Sequence, residues 1–320
     1  MKLCVGYLCL IEIKYINLKK ITLSFFFLII FSQLRLDAQI LALPLSGDGD
    51  NLMPLSEAVD PELEMQLMNV INSRPLWKSL VKKKKMAVGL IDISNPDRPK
   101  FARANGQHMM YAASLPKIAI LLAVIDAVDK GEVEMTPELD DKISRMISVS
   151  SNTASTELID LVGYEKIARI LQHPQYRLYD RNGMGGLWVG KRYAAKGRKY
   201  PDPIKGLSHA ASVTQVCRFY YMLAYGKLIN CHRSEQMLEY LKDPKLHHKF
   251  VNTLDKVAPN ADVYRKSGSW KKYHADSVLV IGDEWRSYIL VSLIEHESGE
   301  SIMRDLILEV ESILSHSPVK

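Results

Sequence analysis

Residues 118–128, IAILLAVIDAV, are apolar on nearly every side of a helix. Such a helix has no polar face to offer water, so other elements must wrap it. The chain therefore needs a helical layer thick enough to bury one of its own members. Its neighbours supply candidates. TPELDDKISRMISVSSNTASTELIDLVG predicts two shorter helices that meet near Ser150, and SVTQVCRFYYMLAYGKLI resumes as a helix capped by Ser212.

The ends of the chain read differently. PELEMQLMNVINS from Pro61 sets Leu63, Leu67, Val70 and Ile71 at helical spacing, and Pro75 is expected to end that helix. MAVGLIDIS (86–94) is rich in β-formers, NPDRP turns the chain, and KFARAN makes the hairpin partner. Near the carboxyl end, YRKSGS, SVLVIG and RSYILVSLIE read as strands, and ESIMRDLILEVESIL as a final amphipathic helix. The order suits an α+β domain over 61–315. One antiparallel sheet of about five strands would be covered by the terminal helices, with an all-helical subdomain (about 111–250) inserted between its strands. Residues 39–60, polar and punctuated by Gly and Pro, read as a linker. Residues 179–209 have no period and many glycines and basic residues; a loop of that length is usually functional or disordered.

A basic flank (Lys2, Lys14, Lys19, Lys20), the apolar run ITLSFFFLIIF and a small residue at Ala38 read as a signal peptide over 1–38, implying a secreted or periplasmic protein. The run is too short to span a bilayer comfortably, so no stable membrane span is expected. Without residues 1–38 the chain loses five of 42 basic and two of 36 acidic residues, and 37 against 34 leaves a formal +3. That balance argues against a nucleic-acid partner, and the lysine run at 82–85, with no interleaved aromatics, reads as a solvated turn. Cys217 and Cys231 could bridge or stay as small buried residues; their spacing decides neither. The histidines show no metal-ligand spacing, so no metal or other cofactor is expected. A monomer is expected.

Ser114-Leu115-Pro116-Lys117 opens the buried helix with an S-x-x-K pair. The same spacing recurs at Ser79/Lys82 and Ser269/Lys272, but only Ser114 leads into an apolar run. Three residues apart on a helix, serine and lysine share a face, with β-carbons about 5–6 Å apart. Burial and the positive helix end both disfavour a charged lysine, and a neutral amine can take a proton from a hydroxyl. A serine cap beside a snorkelling lysine would look the same. Ser150-Ser151-Asn152 is the one S-x-N of the chain and falls where two helices meet. Lys266-Ser267-Gly268 is the one K-[ST]-G and falls on a predicted strand, where glycine lets a substrate approach the backbone.

In that order the three motifs form the signature of the penicillin-recognising serine enzymes. The chain resembles class A β-lactamases and their penicillin-binding relatives over roughly 61–315, and MISVSSNTAS is similar to their M-I-x-x-S-D-N-T-A run, with Ser151 in place of the aspartate. The resemblance implies a β-lactamase/transpeptidase-like fold and an acyl-serine mechanism. Ser114 would attack a carbonyl and Lys117 accept or relay its proton. Ser150 would pass a proton to the leaving nitrogen, and Asn152 would hold the substrate amide. Lys266 would keep Ser150 poised and, with Ser267 and Gly268, receive a substrate carboxylate. The backbone N–H groups of Ser114 and Ser269 would form the oxyanion hole.

Two departures qualify what the resemblance implies. Class A enzymes carry a water-activating glutamate in the loop after S-D-N, whereas 179–209 contains no glutamate and only two acids, Asp180 and Asp202. These become the fallback water activators. The segment between Ser114 and Ser150 is also short, which should lower one wall of the cleft. The leading expectation is a β-lactamase-like serine hydrolase, with a role in antibiotic resistance implied. Alternatives are a D-Ala-D-Ala-type peptidase, amidase or esterase acting on cell-wall acyl-peptides, and a non-catalytic penicillin- or peptidoglycan-binding protein.

Overall fold

The computed structural model describes residues 43–45, 52–282 and 285–316. The signal read at 1–38 lies outside these residues, as does much of the linker. Helix α1 (Pro61–Ser73) starts where the Asp60 carboxylate accepts from Leu63 N at 2.8 Å, and it buries Leu63, Leu67 and Ile71. Pro75 does end it, but also begins a second helix, α2 (Pro75–Lys82). A proline at the first helical position forfeits no hydrogen bond, so the residue read as a stop serves equally as a start.

Strands β1 (Met86–Asp92) and β2 (Lys100–Ala104) form the expected hairpin. Then come α3 (Lys117–Asp129), α4 (Pro137–Ser148) and α5 (Asn152–Leu171), the last broken at Gly163. Three more helices follow the long loop: α6 (Val213–Ala224), α7 (Cys231–Leu241) and α8 (Phe250–Val257). The chain closes with β3 (Asp262–Trp270), β4 (Tyr273–Ile281), β5 (Ser287–Glu295) and α9 (Gly299–Ser315). The five strands make one antiparallel sheet in the order β2-β1-β5-β4-β3. Pairing of β1 with β5 ties the two ends of the domain together, so everything from α3 to α8 is an insertion. This is the β-lactamase/transpeptidase architecture predicted from the sequence.

Both faces of the sheet are buried, and alternation along the strands divides them. Met86, Val88, Leu90, Leu290 and Ile294 pack with α1, α2 and α9, while Ala87, Ile91, Ile289, Val291 and Leu293 face the inserted helices. α3 is buried continuously from Lys117 to Ala127 and forms the axis of the inserted layer. Gly89 lets α6 approach the sheet, because a β-carbon there would lie 2.7 Å from Cys217 Sγ. Cys217 is buried, Cys231 half-buried, and both are free thiols. Ser212 precedes α6 as expected, yet its hydroxyl makes no cap and is buried without a partner.

The insertion is not purely helical. Met110–Tyr111, His209–Ala211 and Trp188–Val189 form a small sheet, and Tyr179–Asp180 pairs with Gly185–Gly186. The loop at 179–209 buries Tyr179, Leu187, Trp188 and Val189, and buried backbone needs partners, which these short ladders supply. No described helix is long and apolar enough to cross a membrane.

Candidate active site

Ser114 stands in a turn just ahead of α3, not at its N-cap. Its carbonyl accepts from Lys117 N at 3.2 Å, and Pro116 occupies the cap position without a side-chain hydrogen bond. The Ser114 hydroxyl caps nothing among the described residues, which removes the reading of Ser114 as a serine cap. Ala113, immediately before it, has φ +49°, a left-handed conformation that an alanine holds only when its surroundings enforce it.

The S-x-N motif divides its labour. Thr136 caps α4 and Ser151 caps α5, accepting from Ala154 N at 3.2 Å. Ser150, between the helices, is left-handed at φ +58°. That conformation turns both its carbonyl and its hydroxyl onto Lys117 Nζ, at 2.6 and 3.2 Å. Asn152, first residue of α5, adds Oδ1 at 2.9 Å from the same nitrogen.

The third motif arrives on β3. Lys266 Nζ donates to Ser150 Oγ at 3.0 Å and to Ser267 O at 2.8 Å. Gly268 is required by contact: a β-carbon there would lie 2.4 Å from Ala112 O and 2.6 Å from Ser114 N. β3 thus abuts the turn that carries Ser114, and the two expected oxyanion donors, Ser114 and Ser269, belong to touching segments. A third buried lysine, Lys249, fixes this strand by donating to Gly268 O at 2.6 Å and Ala275 O at 2.9 Å. Beneath it Arg265 pairs with fully buried Asp276 at 2.7 Å. Sequence reading passed over Lys249; the polar stretch KLHHKF carries no signal that its lysine turns inward.

Burial lowers the pKa of Lys117 to about 7. Lys266 is held well below the ordinary lysine value by burial first, then by the charges of Lys117 and Arg265. Neither has a carboxylate partner among the described residues. A neutral amine has two N–H groups and one lone pair. On Lys117 the N–H groups can serve Ser150 O and Asn152 Oδ1, which leaves the lone pair for a hydroxyl proton. Ser150 Oγ, shared by both lysines, can carry a proton between them. The cluster is equipped for proton transfer from a serine nucleophile.

The loop's contribution differs from expectation. Asp202 is buried: its Oδ1 accepts from Tyr179 Oη, Ile204 N and Lys205 N, each at 3.0 Å, and Oδ2 from Leu207 N. With four donors satisfied inside the loop, it is a fastening. Asp180 is exposed and accepts from Asn182 N at 2.9 Å. Neither aspartate is a partner of Lys117. The loop residue that does meet it is Tyr193, whose ring centroid lies 4.4 Å from Nζ and whose hydroxyl donates to Ala113 O at 3.2 Å. The one sequence cue was compositional. Tyr179, Trp188, Tyr193 and Tyr200 lie in a loop that otherwise reads as polar, and large aromatic rings are seldom left in water.

The fold is shared with solved structures. A β-lactamase from Sphaerobacter thermophilus DSM 20745 is 17% identical and superposes with a TM-score of 0.61, over 79% of this chain and 98% of that one. A variant of PBP-A, captured as an acyl-enzyme complex with penicillin G, is 18% identical with a TM-score of 0.62, covering 83% and 100%. A variant of a class A β-lactamase, the last common ancestor of Gram-negative bacteria, is 13% identical with a TM-score of 0.61, covering 80% and 100%. At such identities the likeness establishes the fold. Among curated proteins, none matches the sequence. The family model described as "Beta-lactamase enzyme family" matches residues 133–315, more than half of the chain and inclusive of Ser150, Asn152 and Lys266–Gly268. By fold and by family model, the chain belongs to the beta-lactamase enzyme family.

Proposed function

We propose that the protein is an exported active-site-serine hydrolase that forms an acyl-serine with β-lactams and hydrolyses their amide bond, with the second step the slower. Ser114 Oγ attacks the carbonyl while Lys117 Nζ takes its proton, and the N–H groups of Ser114 and Ser269 receive the oxyanion. The carbon–nitrogen bond then breaks, and Ser150 passes a proton to the leaving nitrogen. Asn152 holds the substrate amide, and Lys266, Ser267 and Gly268 receive its carboxylate. The observation that carries this reading is the placement of two buried lysines on one hydroxyl, Ser150 Oγ, at 3.2 and 3.0 Å. Export rests on the leader read at 1–38.

Time-resolved intact-mass spectrometry with benzylpenicillin tests the reading. The expected result is an adduct on Ser114 that Ser114→Ala abolishes and that Ser79→Ala and Ser269→Ala retain. An adduct mapped to another serine ends it. A peptidase, amidase or esterase reading is favoured by one feature, the absence of a glutamate from 179–209. Turnover of D-Ala-D-Ala peptides or small esters much faster than any release of hydrolysed benzylpenicillin would select it.

A further inference from the structure

We propose that Tyr193 is a positioning residue that sets the lifetime of the acyl-serine, its ring closing the loop side of Lys117 against water. This rests on Ser114 being the acylated nucleophile, and it adds what decides the fate of the acyl group.

The ring is clamped on three sides. Its face lies over Lys117 Nζ at 4.4 Å, and its hydroxyl is tied at 3.2 Å to the carbonyl of Ala113, the strained residue that presents Ser114. The His209 ring lies 4.3 Å from it, tilted by 34°. His209 is itself fixed, with Nε2 donating to Lys191 O at 3.0 Å and Nδ1 facing the Ser208 hydroxyl at 3.3 Å. Burial lowers its pKa to about 4, so the imidazole is neutral at pH 7 and cannot trade this contact for a charge. Tyr111 stands edge-on behind it, 6.2 Å away. A side chain held this way is a wall.

The two half-reactions use that wall differently. Acylation needs the Lys117 lone pair to take the Ser114 proton on the side of the polar cluster. Hydrolysis must add the oxygen of a water to the ester carbonyl and break the bond from that carbonyl to Ser114 Oγ. One proton of the water must also return to Oγ through a base. A water using Lys117 from the loop side would have to stand where the Tyr193 ring is. The phenol does not replace the missing base: its proton is committed to Ala113 O, and burial raises its pKa well above the ordinary value. Lys117 therefore serves the first step, and the ring withholds it from the second.

The test measures acylation and decay separately on the full chain, by quenched-flow intact-mass spectrometry with benzylpenicillin. Tyr193→Ala is expected to shorten the life of the adduct about tenfold, a barrier lower by ~1.4 kcal/mol, while acylation proceeds. Tyr193→Phe keeps the ring and should keep the long-lived adduct, a rescue that a merely structural tyrosine would not predict. Acylation of a variant shows that it has folded. If Tyr193→Ala does not acylate, His209→Ala, which removes the backing of the ring, should shorten the adduct's life in the same direction. Unchanged decay in a labelled Tyr193→Ala, or decay in Tyr193→Phe as fast as in Tyr193→Ala, overturns the proposal and leaves Ser114 intact as nucleophile. Rapid adduct decay in the unmodified chain does the same. No label on Ser114 in the unmodified chain overturns both.

Discussion

On one side of the Lys117 amine stand Ser150, Asn152 and, through Ser150, Lys266, all polar and held by helix caps and a sheet strand. On the other stands the face of Tyr193, carried by a loop that spends its one buried carboxylate on its own backbone and on Tyr179. The first side can move protons; the second excludes water. In an acyl-enzyme the two half-reactions ask for different helpers, so an asymmetric cleft implies unequal steps. Under the proposed acyl-serine mechanism, the make-up of the two walls predicts a fast first step and a slow second one.

The largest test of the comparison is removal of the base. Lys117→Ala should slow acylation of Ser114 by about 10²- to 10⁴-fold, the usual worth of general-base catalysis. In the unmodified chain, acylation should rise with pH through about 7, because only the neutral amine accepts a proton and burial sets its pKa there. Stability follows the same sign. The folded pKa lies below the ordinary 10.5, so between about 7 and 10.5 the unfolded chain binds more protons, and stability rises with pH across that window. Lys249, lowered to about 8 by burial, adds to the trend. A pH–rate profile of acylation that stays flat from pH 5.5 to 8.5 would take Lys117 out of its role and make the two walls equivalent.

A smaller effect separates two uses of Lys266. Its amine touches Ser150 Oγ and Ser267 O, so it can serve the proton path, the substrate carboxylate or both. Charge-assisted hydrogen bonds in a partly desolvated cleft are worth ~1.5–3 kcal/mol. Lys266→Ala should therefore slow acylation by carboxylate-bearing β-lactams roughly tenfold to a hundredfold. Neutral esters should lose less. Equal losses for both substrate classes would assign Lys266 to Ser150 alone.

The same contrast explains what could be read from the chain before its structure. Ser114, Lys117, Ser150, Asn152 and Lys266 lie in three short motifs whose spacing and order can be read along the chain. The sheet was legible because SVLVIG and RSYILVSLIE are continuous apolar runs, as strands buried on both faces must be. Tyr193 and Lys249 were not legible, since neither lies in such a motif and each meets its partner only through the fold, Ala113 O for one and Gly268 O for the other. Helices α7 and α8 were missed for a related reason. Both are short, and each offers only three buried apolar side chains among polar ones, so their stability comes from tertiary packing more than from local signal.

The smallest expected effects concern the two aspartates, and they decide whether the loop wall is as inert as its contacts suggest. Three of the four bonds to Asp202 end on Oδ1, from Tyr179 Oη, Ile204 N and Lys205 N. Asp202→Asn retains an acceptor oxygen for these three and surrenders only the bond from Leu207 N on Oδ2. Asp202→Ala removes them all and leaves the buried Tyr179 hydroxyl and three part-buried backbone N–H groups without this partner, at ~1–3 kcal/mol. The alanine variant should melt earlier, the asparagine variant should melt close to the unmodified chain, and the adduct on Ser114 should decay from the asparagine variant at an unchanged rate. Asp180, exposed and with its carboxylate bonded, among the described residues, only to Asn182 N, should tolerate alanine within ~0.5 kcal/mol and with no change in decay. Thermal unfolding and adduct decay measured on the same samples separate fastening from catalysis. An asparagine variant at 202 that melts normally yet holds its acyl group far longer would show that this carboxylate reaches the water after all.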